Sequence, residues 1–485
     1  MGSVIEEAQQ LIQPRHHVVM VSLAQQGHIN PMLRFAKVLV SKGLHVTLAT
    51  TEEARDRLLS FSSSSSTVTP SSATTSPKID FEFFSDGFSP DYDRLKHVDQ
   101  YVNSLPIYAA NNFKDLLSAH LNNKNNISCV ITNIFFPSAI DVAEELGIPC
   151  ALLWIQTCAL YSIYYRYYKN LNDFPSLHNL DLIVHDLPGI PRLGIDDLPA
   201  FIHPSDPFPS FNKWLSYLIE NLDRVKWVLG SSFYELEKEI VDSMSKPGVH
   251  PIVPIGPLVP SVLLGVDETV GGSADLWKPQ DSCLAWLDTK PRASVVYISF
   301  GSTGVFSAKQ MENMALALKE SKRPFLWVVK PASGDDGRGE VPKWFAKESS
   351  KEQGLVVPWC SQVKVLMHEA VGCFVSHCGW NSGMETLAAG VPLVAFPLWT
   401  DQPTNARLFV EVFGTGVSVR AGGDGVVSKE EIGRCIGEVM DEGEKAGELR
   451  AKAEEWRIAA RVAVAKGGSS YRNLELFIAD ILSSS

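Results

Sequence analysis

The chain has 485 residues, of which 45% are hydrophobic and 20% are charged, and its formal net charge is −12. Because one hydrophobic core does not organise a chain of this length, we expect two domains. The negative charge argues against a nucleic-acid partner, which would need clustered Lys and Arg, and the lack of any run of about 18 apolar residues argues against a membrane span.

The chain begins with a polar and acidic segment, MGSVIEEAQQ. This segment is not typical of a secretory signal, so we expect a cytoplasmic protein. The 8 cysteines contain no CxxC pair and are scattered through apolar runs. In a protein without a secretory signal they are expected to be buried free thiols, and no metal site is expected.

The first predicted unit is a strand, a loop, a helix and a second strand. Val18–Leu23 is an apolar run of strand type, Gln25–Asn30 is predicted as a loop, and Pro31 suits the first turn of a helix. An apolar stripe at helical spacing then runs to Gly43, and the second strand follows. Ligands of parallel α/β sheets bind at the carboxyl ends of strands, so the loop that carries His28 is expected to lie at a ligand site.

A further buried strand, Ile127–Thr132, ends at Asn133. A helix and another strand are predicted after it, as in other alternating α/β chains. The segment that follows is crowded with aromatic rings, at Tyr161, Tyr164, Tyr165, Tyr167 and Tyr168. This tyrosine stripe fits a packed core and the wall of an aromatic ligand site equally well.

Residues 247–272 are rich in Pro and Gly and have no sustained period, which indicates a boundary between domains. We therefore divide the chain into an N-terminal domain of residues 1–250, a linker of residues 251–272 and a C-terminal domain of residues 273–485. Strand–helix alternation restarts in the third segment. The sequence thus predicts an α/β protein with two doubly wound, Rossmann-like sheets, whose last helix can pack back on the N-terminal domain.

The most informative stretch is Trp359–Gln402. It contains an apolar strand ending at Ser376, a turn, a helix ending at Gly390 and another apolar run. The turn places free backbone N–H groups at a helix N-terminus, which is a ready-made anion site. His, Asn and Ser side chains in this turn can donate further hydrogen bonds to a phosphate. Glu385 lies one helical turn further on, where its carboxylate can reach a ribose.

Taken alone, this turn also fits a buried βαβ unit without a ligand. Two other nucleotide-binding patterns are missing from the sequence, since no GxGxxG follows the first strand and no GxxxxGK[ST] occurs. The missing GxGxxG argues against a nucleotide-dependent oxidoreductase, which two doubly wound sheets would otherwise fit.

The whole stretch closely resembles the signature box of the plant UDP-sugar-dependent glycosyltransferases. The similarity extends to Gly27–Pro31, Ser85–Phe88 and Ser299–Ser302, and so covers nearly the whole chain. It implies a GT-B fold, in which two facing domains hold the acceptor mainly in the N-terminal half and the UDP-sugar in the C-terminal half. UDP-glucose would be the co-substrate, without a metal or other cofactor, and a small aromatic molecule would be the acceptor. We further expect a monomer.

The resemblance also implies a role for each position of the donor site. Trp359 would stack on uracil, the Glu385 carboxylate would bind the ribose hydroxyls, and Gln402 would favour glucose. The other donor-binding positions serve the uridine (Cys360, Gln362), the diphosphate (Ser302, His377, Asn381, Ser382) and the sugar (Trp380, Asp401).

His28 is the general base that the resemblance implies. A neutral imidazole can take the proton of an acceptor hydroxyl as it attacks the anomeric carbon, and a single displacement inverts that carbon. Most family members orient this His with an Asp, and this chain has Asn133 at that position. An amide can hydrogen-bond an imidazole, but it cannot stabilise imidazolium with charge. We therefore expect either another carboxylate beside His28 or an acceptor that needs less help.

Three outcomes stay open at this point. A polyhydroxylated ring with an acidic phenol could react through oxygen or through ring carbon. An aromatic carboxylic acid, already ionised at neutral pH, could instead form a glucose ester. Branches of the family that make glucose esters, and relatives that glucosylate polyphenols, carry similar Asn-containing stretches. The third outcome is an inactive UDP-sugar-binding protein.

Overall fold

The computed structural model describes residues 16–64, 79–89, 91–94, 96–123, 126–206, 208–266, 281–301, 304–330, 338–348 and 353–483. Within these residues, no helix is long and apolar enough to cross a membrane.

The N-terminal half forms a parallel sheet. Its strands are β1 (His17–Ser22), β2 (His45–Thr51), β3 (Ile79–Phe84), β4 (Ile127–Asn133), β5 (Cys150–Trp154), β6 (Trp227–Gly230) and β7 (Val253–Pro254). Their order in the sheet is β3-β2-β1-β4-β5-β6-β7. The order reverses where β1 lies beside β4, and ligands of such sheets bind in the crevice at this point. His28 follows β1 and Asn133 ends β4, so both residues lie at this crevice.

The C-terminal half repeats this architecture. Its strands are β8 (Val295–Ser299), β9 (Phe325–Val328), β10 (Gly354–Val357), β11 (Val371–Ser376), β12 (Leu393–Ala395) and β13 (Gly416–Ser418). Their order is β10-β9-β8-β11-β12-β13, again with parallel pairing. The order reverses where β8 lies beside β11. Gly301 follows β8 and His377 follows β11, so the predicted phosphate turn lies at the second crevice.

Helices pack on these sheets and bury the central strands. They are α1 (Gln26–Ser41), α2 (Arg55–Ser64), α3 (Val98–Ser104), α4 (Tyr108–Asn122), α5 (Ala139–Glu145), α6 (Cys158–Tyr168), α7 (Pro209–Glu220), α8 (Lys238–Met244), α9 (Asp281–Leu287), α10 (Ala308–Ser321), α11 (Lys343–Glu348), α12 (Gln362–Leu366), α13 (Trp380–Ala389), α14 (Gln402–Arg407), α15 (Lys429–Met440), α16 (Glu444–Val464) and α17 (Ser469–Ser483). Every residue of β1, β4 and β11 is buried, which is why these strands are continuous apolar runs rather than alternating ones.

The predicted loop at Gln25–Asn30 is wrong, because α1 already begins at Gln26 and contains Pro31. Proline has no N–H, so it cannot bond the carbonyl four residues earlier, which is that of Gly27. In the structure this carbonyl accepts a hydrogen bond from the Asn381 side chain at 2.9 Å. The helix tolerates Pro31 because the carbonyl that loses its helical partner finds one in the other domain.

The predicted linker of residues 251–272 begins with β7, which pairs with β6, so its first residues belong to the first sheet. The last helix, α17, lies against the same sheet. Asn473 on α17 donates to the Pro254 carbonyl at 2.7 Å, and the Trp227 indole N–H donates to Asp480 at 2.7 Å. The Phe477 ring meets Trp227 edge-on, with centroids 5.2 Å apart. The C-terminal end of the chain thus packs on the N-terminal domain.

The tyrosine stripe belongs mostly to the core. Tyr161 and Tyr164 are fully buried on α6, and the Tyr161 ring packs edge-on against Trp154 at 5.1 Å. The 8 cysteines are buried and free, as expected. Among the residues that the structure describes, no three His, Cys, Asp or Glu side chains are grouped in a way that could hold a metal ion.

A cluster of histidines lies at the amino end of the first sheet. The buried His17 ring stacks on His45 with centroids 4.3 Å apart, and it meets His120 edge-on at 5.1 Å. Its Nε2 atom hydrogen-bonds the Thr47 hydroxyl at 2.9 Å. Burial and the neighbouring His45 and His120 lower the pKa of His17 to about 3, although the Asp80 carboxylate acts in the opposite direction.

This low pKa predicts acid sensitivity. An unfolded histidine binds a proton near pH 6.5, whereas folded His17 stays neutral down to about pH 3. Because the unfolded state binds the extra proton, the free energy of unfolding is expected to fall as pH drops through this window. His17→Gln, which keeps a polar partner for Thr47, is expected to make that fall smaller. Urea unfolding at about pH 7 and about pH 4.5 measures it.

His178 lies on the surface and provides the matched control, since His178→Gln should leave the pH dependence unchanged. An unaltered pH dependence in the His17→Gln protein would show that other buried groups set the acid sensitivity.

Candidate active site

His28 lies in the first turn of α1, at the crevice between β1 and β4. Its ring stacks face to face on Phe135, with centroids 3.7 Å apart and ring planes 9° apart. Its Nδ1 atom is buried and has no hydrogen-bond partner among the described residues. Burial lowers the pKa of His28 to about 3, so the imidazole is neutral and only weakly basic at neutral pH.

Asn133 does not orient His28 through a direct hydrogen bond to Nδ1, in contrast to the expected arrangement. It is fully buried, its Nδ2 donates to the Ser22 hydroxyl at 3.0 Å, and its Oδ1 accepts from the Phe135 N–H at 2.9 Å. At the end of β4 the chain turns, and an amide can satisfy a donor and an acceptor there at once. Asn133 therefore fixes the backbone of Phe135, whose ring supports His28. Within the described chain, no carboxylate contacts His28 Nδ1 either.

His377 is held between two glycines at the second crevice. A Cβ atom on Gly301 would lie 2.8 Å from the His377 ring, and one on Gly379 would lie 2.5 Å from it. Any side chain at either position would displace the ring. Burial lowers the pKa of His377 to about 4, and its neutral ring keeps one N–H that can be donated to a phosphate. Ser302, which was also predicted as a phosphate ligand, lies outside the described residues.

The first turn of α13 carries Asn381 and Ser382. Its backbone N–H groups and the positive end of the helix dipole favour a bound phosphate. The Asn381 side chain donates to the Gly27 carbonyl that Pro31 leaves free. A predicted phosphate ligand thus contacts the turn that carries His28, and the two halves of the candidate site meet at this point.

The predicted uridine ligands form one hydrogen-bonded cluster. Gln362 Nε2 donates to the Ser382 hydroxyl at 2.9 Å and to Glu385 Oε2 at 2.8 Å. Gln362 Oε1 accepts from the Tyr297 hydroxyl at 3.2 Å, and the same hydroxyl lies 3.5 Å from Cys360 Sγ. Tyr297, on β8, was not predicted, because nothing in a buried strand distinguishes a tyrosine that faces a ligand site from one in the core.

Arg34 completes this cluster from the N-terminal domain. Its guanidinium is buried and donates through Nη2 to Glu385 Oε1 and through Nη1 to the Leu258 carbonyl, the latter at 3.1 Å. No local pattern indicated this contact, because its partners are separated by 351 positions along the chain.

The sugar end of the predicted site is built around Asp401. Its carboxylate accepts hydrogen bonds from the Thr400 hydroxyl at 2.9 Å and from Asn405 Nδ2 at 2.8 Å. Burial raises the pKa of Asp401, and these bonds, together with the Trp380 backbone N–H, act against that rise. The carboxylate is therefore fixed in place by its own surroundings.

Gln402 is the first residue of α14 and is buried. Its Oε1 accepts from the backbone N–H groups of Leu398 at 2.9 Å and of Trp399 at 3.2 Å. The side chain thus holds the turn that follows β12, beside Asp401.

The Trp380 indole is buried. It is 3% exposed and packs against Phe409 and Phe413, with centroids 6.4 Å apart in each pair. The first residue of α13 points its side chain into the core because the apolar pocket behind the helix accepts it. The sugar-binding role expected for Trp380 stays a prediction.

A row of aromatic rings leads from His28 to the sugar end. Phe135, which stacks on His28, meets Phe211 edge-on at 6.3 Å, and Phe208 meets Phe211 at 6.5 Å and Trp399 at 5.9 Å. These rings come from separate segments of both domains, so no local pattern indicated them. They are placed to form an apolar wall for a flat aromatic acceptor.

Comparison with known proteins decides which family this site belongs to. Residues 214–446 match the model of a family described as UDP-glucoronosyl and UDP-glucosyl transferase. UDP-glycosyltransferase 84B1 of Arabidopsis thaliana is 46% identical, over 96% of this chain and 97% of the relative. The chain belongs to the UDP-glycosyltransferase family.

Two further proteins are similar to this UDP-glycosyltransferase. The structure of Os79 from O. sativa in complex with UDP aligns with a TM-score of 0.82 and 31% identity, over 96% of this chain and all of the other (100%). The gallate 1-beta-glucosyltransferase of Quercus robur is 40% identical, over 96% of this chain and 89% of the relative. The predicted GT-B fold is confirmed, and so is the resemblance that Trp359–Gln402 indicated.

Proposed function

We propose that this UDP-glycosyltransferase transfers glucose from UDP-glucose to a small aromatic acceptor that loses its proton readily. The acceptor is a polyphenol, and the glucose is attached to one of its hydroxyl oxygens or ring carbons. The observation that carries this proposal is the state of His28. Its imidazole is neutral and weakly basic, and no carboxylate contacts its Nδ1 within the described residues. A weak base serves an acidic phenol better than a phenol of high pKa. The aromatic wall suits such an acceptor.

In the proposed reaction, His28 accepts the proton from the phenol as the acceptor oxygen or carbon attacks the anomeric carbon. The bond between that carbon and the diphosphate oxygen breaks, and its electron pair leaves with UDP. His377, Asn381, Ser382 and the N-terminus of α13 supply hydrogen bonds to the charge that develops on the leaving diphosphate, and Ser302 is expected to add one. A single displacement inverts the anomeric carbon.

The same proposal assigns the donor. Half-buried Trp359 would stack on uracil, and the cluster of Cys360, Gln362 and Glu385 would hold uridine. Asp401 and Gln402 would bind the glucose hydroxyls. UDP-glucose acts as a co-substrate, and we propose that neither a metal nor another cofactor takes part. We also propose that the enzyme works as a monomer in the cytoplasm, although one relative, a crocetin glucosyltransferase of Gardenia jasminoides, is named as chloroplastic.

A second candidate is glucose-ester formation on an aromatic carboxylic acid. It is favoured by the relatives whose names give gallate 1-beta-glucosyltransferase activity, at 39% to 40% identity. A carboxylate is already ionised at neutral pH, so it needs no proton transfer to His28. A His28 imidazole without a carboxylate partner is therefore compatible with this reaction.

One experiment separates these candidates. A panel of polyphenols, simple phenols and benzoates is incubated with UDP-glucose, and the products are analysed by mass spectrometry. An ester is cleaved by mild base, an O-glucoside by acid, and a C-glucoside survives both treatments. Binding of UDP without turnover of any acceptor, and without hydrolysis of UDP-glucose, would contradict the proposed function and leave a sugar-nucleotide-binding protein.

Sugar choice gives a further prediction. UDP-glucose is expected to be used with a kcat/KM roughly tenfold or more above that of UDP-galactose, because Asp401 and Gln402 hydrogen-bond particular sugar hydroxyls. Gln402→Ala is expected to reduce this ratio. Since both sugars are measured on one preparation, a loss of folded protein cancels from the ratio. Equal kcat/KM values for the two sugars in the wild type would remove this role from Gln402.

A further inference from the structure

The Glu385 carboxylate is bonded on both oxygens by side chains of this chain. Oε1 accepts from Arg34 Nη2, and Oε2 accepts from Gln362 Nε2 at 2.8 Å. The Arg34 and Glu385 side chains are only 6% and 7% exposed. A carboxylate offers about four lone-pair positions, so two hydrogen bonds leave it able to accept two more. A ribose presents two vicinal hydroxyls, which match that remaining capacity.

Arg34 is itself held at several points. It projects from α1 of the N-terminal domain, whereas Glu385 is on α13 of the C-terminal domain. Its second terminal nitrogen donates to the Leu258 carbonyl, in the segment that follows the first sheet. A second contact joins the same two helices, since Asn381 on α13 donates to the Gly27 carbonyl on α1. Arg34 therefore approaches Glu385 from a helix that contacts α13 at a second point.

We propose that Arg34 is a positioning residue for the donor nucleotide, and that it orients the Glu385 carboxylate to accept hydrogen bonds from the ribose hydroxyls. The Arg34 guanidinium bonds Oε1 and the Gln362 amide bonds Oε2, so the carboxylate is held in one orientation and its remaining lone pairs stay available. The inference rests on the proposed function, because it needs a uridine nucleotide at Glu385.

A purely structural role is the alternative, in which the ion pair only fastens the two domains together. The two roles differ in what happens when the ribose hydroxyls are removed. We therefore choose UDP and 2′,3′-dideoxyuridine diphosphate as probes, and isothermal titration calorimetry as the readout. The wild type is expected to bind UDP roughly 10- to 100-fold more tightly than the dideoxy nucleotide, because hydrogen bonds to a charged acceptor are stronger than neutral ones.

Arg34→Gln is expected to reduce this preference for UDP to less than about threefold. Its main effect should be to weaken the binding of UDP, with a smaller effect on the binding of the dideoxy nucleotide. Arg34→Lys keeps the charge but replaces the planar guanidinium by a single ammonium group, so its preference should lie between those of the wild type and Arg34→Gln. Circular dichroism shows whether Arg34→Gln folds. If it does not fold, the preference of Arg34→Lys for UDP tests the inference in its place.

Lys42 offers the matched control. It is the residue that caps the C-terminal end of the same helix, and it pairs with Glu475 on α17. Lys42→Gln removes an ion pair of α1 with the C-terminal helix and is expected to leave the preference for UDP unchanged.

The inference is overturned if the folded Arg34 variants lose affinity for both nucleotides by the same factor, since the preference would then not depend on Arg34. It is also overturned if Lys42→Gln reduces the preference as much as Arg34→Gln does. A wild-type chain that binds neither nucleotide would instead overturn the proposed function itself. The two failures are therefore distinguishable from one set of titrations.

Discussion

His28→Ala is expected to lower kcat/KM for a phenol of high pKa by roughly 10²- to 10⁴-fold, the range that general-base catalysis contributes. The loss should shrink as the phenol becomes more acidic, because an ionised phenol leaves less proton transfer for His28. The fall in kcat/KM should be smallest for an aromatic carboxylate. The measurement is kcat/KM with UDP-glucose across phenols ordered by pKa and one benzoate.

Phe135→Leu is the matched control for this series. It removes the ring that stacks on His28 but leaves the imidazole in place. It should therefore lower kcat/KM less than His28→Ala does, and it should not change the order in which the acceptors are used. UDP affinity should be unaltered in both variants. A His28→Ala enzyme that glucosylates high-pKa phenols at the wild-type rate would exclude His28 as the base.

Glu385→Ala is expected to lower the free energy of unfolding by about 3–5 kcal/mol, because it leaves the Arg34 guanidinium buried without its carboxylate. The same change should raise the KM for UDP-glucose, since the ribose loses its acceptor. Urea unfolding measures the first effect, and initial-rate kinetics under conditions where the variant is folded measure the second.

Glu475→Ala provides the comparison for stability. It removes a half-exposed ion pair with Lys42, and such pairs contribute at most about 1 kcal/mol. If Glu385→Ala lowers the free energy of unfolding no more than Glu475→Ala does, the buried Arg34–Glu385 pair contributes no more to stability than an exposed pair.

The alternation of strands and helices was predictable because buried parallel strands are continuous apolar runs and their helices have apolar stripes. The donor turn was predictable for a related reason. Its strand, its glycines and its helix are adjacent in the chain, so one local stretch contains most of the anion site. The crevice positions of His28 and His377 followed from the same rule about strand ends.

Contacts between the two halves were not predictable in this way. Arg34 and Glu385 are separated by 351 positions, and Asn381 and Gly27 by 354. No period or propensity links residues so far apart, because their meeting depends on how the two sheets face each other. The burial of the Trp380 ring has a similar cause, since tertiary packing decides which face of α13 the indole takes.

The carbonyl that Pro31 leaves free has a consequence for building hybrid enzymes from the halves of different relatives. Asn381 bonds a main-chain oxygen, and every residue type at position 27 supplies one. This contact therefore survives recombination wherever a proline follows four residues later. The Arg34–Glu385 pair, by contrast, needs both side chains, so a donor half that keeps this glutamate should be joined only to an acceptor half that brings a cation at position 34.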